Sequence, residues 1–155
     1  MTQDFRSGKL ISLQKCITHK GRGMRKAVKE FLRKSGFKIP DEKALKALLK
    51  LSSLTEPQLE VLLIETASTS AGMKLTFREK AKIRGVAKGA YARTLRQAIE
   101  NIKKSIFTIF LLKYLGVIGD EAISSILEAA EMLNQGKLTD SLTLINDVML
   151  SDITR

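Results

Sequence analysis

The chain has 155 residues, 44% of them hydrophobic and only 5% aromatic, with no Trp and two prolines. That composition allows one ordinary packed domain or two very small ones, excludes a disordered polymer, and favours helices over a β-sandwich. A formal charge of +11 suggests a polyanionic partner, either nucleic acid or an acidic membrane surface.

The charge is unevenly placed. Residues 1–40 hold 11 Lys/Arg against 2 acids, residues 41–73 hold 3 against 5, residues 74–104 hold 10 against 2, and residues 105–155 hold 3 against 7. Two basic blocks therefore alternate with two mildly acidic ones. Cys16 is the only cysteine, which excludes an intrachain disulfide and fits a reducing, cytoplasmic setting. The first residues lack the apolar run of a signal peptide. The longest apolar stretch, Ile106 to Ile118, carries Lys113 and falls short of the ~20 residues a spanning helix needs. A soluble protein without membrane contact is expected.

In chain order, GKLISLQKCITH suggests a short helix with Leu10, Ile11, Leu13 and Ile17 inward, followed by the basic loop His19 to Gly23. MRKAVKEFLRKSGF then shows helical periodicity, with Met24, Ala27, Val28, Phe31 and Leu32 on one face and Gly36 as C-terminal cap. After Pro40, DEKALKALLKLSS predicts a helix with its acids at the positive end and Leu45, Leu48 and Leu49 inward. LTEPQLEVLLIETAS opens on a capping box, Thr55 with Gln58, and Thr76 with Glu79 repeats the device before FREKAKIR. From Lys88 a helical pattern runs unbroken to about Leu115, some 28 residues or ~42 Å. Leu95, Ile99, Ile102, Ile106 and Ile109 follow a 4-3-4-3 seam within it. Its second half is apolar nearly all round, as in a helix buried on every side, within one chain or between two. Gly116 and Gly119 end the run, Asp120 caps EAISSILEAAEMLNQG, and a last helix starts at Thr139 or Asp140. The reading is all-α, about seven helices, with residues 1–40, 41–104 and 105–155 as a basic N-terminal segment, a helix-turn-helix region and an apolar core or dimerisation module.

Little in the chain suits catalysis. His19 is the only histidine, so a triad would have to be built in a basic loop, and Cys16 with His19 supplies two of the four ligands a structural zinc requires. No phosphate-loop spacing occurs around Gly85 and Gly89. Neither an enzyme nor a cofactor, metal or small-molecule ligand is expected.

IRGVAKGAYARTL, residues 83–95, is the informative stretch. Ala81 is small enough for a helix crossing, Gly85 permits a sharp left-handed turn, and Val86 plugs the space beneath it. A second helix from Ala87 or Lys88 puts Tyr91, Leu95 and Ala98 inward, and Lys88, Ala92, Arg93, Arg96 and Gln97 outward. Gly89 then lies inside that helix, at a cost of ~1 kcal/mol relative to Ala. Leu54, Thr55, Val61, Leu62, Ala81, the Gly85-Val86-Ala87 turn and Leu95 together resemble the helix-turn-helix of sigma-factor region 4 and of response-regulator DNA-binding domains, over residues 54–104. Lys88-Gly89-Ala90-Tyr91 also resembles the recognition helix of tetracycline-repressor-type regulators.

This assigns base reading in the major groove to Lys88, Arg93, Arg96 and Gln97, and phosphate contacts to Lys74, Arg78, Lys80, Lys82 and Arg84, with Arg22, Arg25 and Lys26 added from the N-terminal block. Arg22 would belong to an arm lying in the minor groove. The expected protein is a double-stranded DNA-binding transcriptional regulator acting as a homodimer. The alternatives are a protein that docks on structured RNA by shape and charge, or an adaptor for an acidic protein partner.

Overall fold

The computed structural model describes residues 23–153, and among these it is all-helical. Seven helices follow in order: α1 Lys26–Lys34, α2 Glu42–Leu51, α3 Glu56–Ser70, α4 Phe77–Arg84, α5 Lys88–Tyr114, α6 Asp120–Asn134 and α7 Leu138–Ile153. The helix expected in GKLISLQKCITH, the basic arm and Arg22 lie outside the described residues. No described helix is long and apolar enough to cross a membrane.

The chain divides into two compact units, residues 1–101 and 102–155. The core of the first is built from four helices: Val28 and Leu32 of α1, Val61, Ile64 and Ala67 of α3, Ala81 of α4, and Tyr91 and Ala98 of α5. Each large aliphatic side chain taken fully from water contributes about 1.5–3 kcal/mol, so α1 is held by Val28 and Leu32 more than by its own propensity. The expected boundary near residue 40 is therefore not a boundary of the fold. The basic N-terminal helix α1 shares one core with α3, α4 and α5. Ala27, expected inward, is exposed.

Local capping explains most of the helix limits. Asp41 accepts from the Ala44 N–H at the start of α2. At α3, Thr55 and Gln58 bond reciprocally, and at α4 Thr76 and Glu79 do the same. The Thr76 N–H donating to Glu79 holds that carboxyl below the usual range. Asn101 of α5 donates to both Ser53 O and Gln58 Oε1 at 3.1 Å, fastening the first unit's stretch of that helix over the start of α3.

In the second unit α6 and α7 pack against one another, and Ser141 of α7 donates to Ala129 O across the contact at 2.8 Å. Two of its limits differ from expectation. The N-cap of α6 is Gly119, with Asp120 as first helical residue bonded to Lys113 at 2.6 Å. Helix α7 begins at Leu138, one or two residues before the expected start at Thr139 or Asp140.

Ile106–Ile118 is the stretch expected to be covered on all sides, within one chain or between two. Ile118 is buried and Ile109 and Leu112 are half-buried, but Phe107, Phe110, Leu111, Tyr114 and Leu115 are exposed. With α6 and α7 packed on each other, one face of α5 in this unit keeps its apolar side chains in solvent.

Candidate nucleic-acid interface

The site is built around the α4–α5 turn. Helix α4 ends with Gly85 at φ 74°, ψ 39°, a left-handed conformation that costs an L-residue with a side chain about 1–2 kcal/mol. The Gly85 N–H returns to Lys82 O and the Val86 N–H to Ala81 O, both at 3.0 Å, which closes the last turn of α4. Only Gly85, Val86 and Ala87 separate the two helices. The Tyr91 N–H donates to Ala87 O at 3.0 Å as the first bond of α5. Val86 packs against the core and Ala81 is buried, as their spacing predicted.

Helix α4 carries four basic residues, and the structure sorts them by period. Arg78 and Lys82, one turn apart, are exposed. Lys80 and Arg84, also one turn apart, face inward and meet two acids of α3. Arg84 Nε donates to Glu60 Oε2 at 2.9 Å, with both side chains almost fully buried. Lys80 Nζ donates to Glu65 Oε2 at 2.7 Å and lies 5.8 Å from the centre of the Phe77 ring. Arg84 and Lys80 are therefore withdrawn from the set of phosphate contacts, because their charge is spent inside the fold.

Each acid also reaches a third helix. Glu60 Oε1 accepts the Arg25 N–H at 2.8 Å, just before α1, and the Arg25 guanidinium donates to Arg84 O at 2.6 Å. Arg25 is thus fastened to the last carbonyl before the turn, while half of its side chain stays exposed. Glu65 Oε1 accepts from the Tyr91 hydroxyl at 2.9 Å, linking α3 to the first turn of α5. Burial, then the Glu65 carboxylate, pushes the Tyr91 phenol far above its usual range, so it stays neutral and donates. The Tyr91 ring sits 6.1 Å from that of Phe77, tilted by 52°. Every buried polar side-chain atom among the described residues has a partner.

Lys88, Arg93, Arg96 and Gln97 are all exposed, and at ~100° per residue they span one half of the α5 circumference, opposite buried Tyr91 and Ala98. Lys88, Arg93 and Arg96 form no salt bridge among the described residues, and neither do Lys74, Arg78, Lys82 or Lys26. Gly89 is the second residue of α5, and a methyl group built on it would meet nothing within 4 Å. The fold itself thus makes no steric demand for glycine there.

Sequence reasoning missed Glu60 and Glu65 as positioning residues. The available signal was an acid embedded in the apolar run Leu59 to Ile64, with basic residues one turn apart on a later helix. No group of three or more His, Cys, Asp or Glu able to hold a metal occurs among the described residues. Compared with known proteins, the chain matches no family model, no curated protein and no solved structure.

Proposed function

We propose that this protein binds double-stranded DNA in a sequence-specific manner, as a homodimeric transcriptional regulator, with the start of α5 in the major groove. One observation supports the reading above all. Among the cations of the α4–α5 region, those facing inward are neutralised by Glu60 and Glu65, whereas Arg78, Lys82, Lys88, Arg93 and Arg96 stand exposed without an ion-pair partner among the described residues. A hairpin that needed only solubility would not require that division.

In this reading Arg93, Arg96, Lys88 and Gln97 reach base edges, where Arg and Lys pair with guanine and Gln with adenine. Arg78 and Lys82 of α4, with Lys74 before it, contact phosphates and fix the register. Lys26 adds a phosphate contact from α1. The small residues Gly89 and Ala92 let the α5 backbone approach the groove.

Salt dependence tests the class of partner. Affinity for duplex DNA, for a structured RNA hairpin and for polyglutamate is measured across a salt series. Duplex DNA should bind tightest, with a log–log slope of about −0.9 for each phosphate neutralised. Equal or better binding to the hairpin, or to polyglutamate, contradicts the proposal and favours the RNA or adaptor alternative.

Gly89 gives a second check. Gly89→Ala should leave stability unchanged or raise it by about 0.4–1 kcal/mol, because a helix-compatible residue loses unfolded-state entropy without meeting a neighbour. Duplex affinity should nevertheless fall, since the added methyl stands where the groove must approach. Thermal unfolding and DNA titration of the same variant separate the two effects. Unchanged affinity would move the docking face away from the first turn of α5.

A further inference from the structure

We infer that the exposed apolar stripe from Ile106 to Leu115, at the end of α5 and the residue after it, is the contact surface for a second copy of this chain. This locates the homodimer included in the proposed function, and its evidence concerns the protein alone. Ile106, Phe110 and Tyr114 recur every four residues and form one ridge. Phe107, Leu111 and Leu115 form a second beside it. These six residues are between 45% and 88% exposed, which is unusual for so contiguous an apolar set. Phe107 and Phe110 touch edge to face, with ring centres 6.1 Å apart and planes at 89°, so the two ridges meet in one continuous apolar face.

Two ridges of the i, i+4 kind are self-complementary. A two-fold axis lays each ridge into the other copy's groove, with the helices crossing at about −50°. The six side chains expose on the order of 700 Å² per chain, close to the ~800 Å² each partner contributes to a standard specific interface. Among the described residues the unit buries few apolar side chains fully, namely Ile118, Ala122 and Ala129. Charge argues for a copy of the chain over an anionic lipid surface. Residues 102–155 hold seven acids against five Lys/Arg, and Lys113 at the margin of the stripe is already paired with Asp120.

The test is sedimentation equilibrium of the full chain and of Phe110→Glu, with no nucleic acid present. The native chain should be a dimer at micromolar concentration. Phe110→Glu, which sets two carboxylates against each other near the axis, should weaken association at least ~100-fold while helicity is retained. A monomeric native chain, or a Phe110→Glu dimer of native strength, overturns the inference. If Phe110→Glu unfolds, a Cys16→Ser, Phe110→Cys chain serves instead: it should form a disulfide-linked dimer on mild oxidation, and failure to do so is equally decisive against. A native chain that is monomeric but floats with phosphatidylglycerol vesicles would assign the stripe to a lipid surface and sink the second-copy assignment. Because DNA is absent, failure here leaves the DNA-reading proposal standing, and failure of DNA binding leaves the dimer standing.

Discussion

Glu60→Ala should destabilise the protein by about 3–5 kcal/mol, the largest effect of any single substitution outside the apolar core. Glu60 has almost no exposed side chain and accepts from Arg84 Nε and from the Arg25 N–H. Removing it leaves the buried Arg84 guanidinium without a counter-charge. Breaking such a pair costs far more than the pair contributes, because the remaining charge was stripped of water on folding. The melting temperature should fall by roughly 10 °C or more for a chain of this size. The double variant Glu60→Leu, Arg84→Met should recover most of the loss, since well-packed apolar groups carry no desolvation penalty. Chemical unfolding of the three proteins measures this. A Glu60→Ala chain within 1 kcal/mol of native, on the scale by which surface changes are judged, would mean the pair is not buried as described.

The same network predicts where function and stability part. Arg93→Ala should cost about 1–3 kcal/mol of affinity on the preferred duplex and relax selectivity at one base position. Lys82→Ala should weaken all duplexes about equally and reduce the salt slope by about 1. Both residues are exposed, so both variants should unfold like the native protein. Titrations on two unrelated duplexes across salt distinguish them. Identical behaviour of the two variants would contradict the division into a reading helix and a phosphate-contacting helix.

Much of the fold was legible because its determinants are local. The capping boxes at Thr55 and Thr76, the left-handed Gly85 and the inward Tyr91 and Ala98 each depend on residues within a few positions. The extent of α5 followed from the lack of any breaker between Lys88 and Tyr114. The fates of Lys80, Arg84 and Arg25 did not follow. Their partners lie 15, 24 and 35 residues away, on a helix whose own run of Leu, Val and Ile concealed its acids. Charge counted along the chain gave all three to the solvent. Packing gave them to Glu65 and Glu60. The stripe from Ile106 to Leu115 was legible as apolar but not as exposed, since periodicity identifies an apolar face without identifying what covers it.

Gly89 marks the same limit. As an interior helical residue it would be a liability, but as the second residue of α5 with open space around it, it carries little cost. Its use, in the proposed function, is to bring the backbone close to DNA.

Selection from a random duplex library tests the central claim most directly. The native chain should enrich one motif, and Arg93→Ala should become degenerate at one position of it while enriching the rest. A library that stays random after repeated rounds, at a salt concentration where the protein still binds, would contradict sequence-specific DNA reading by α5.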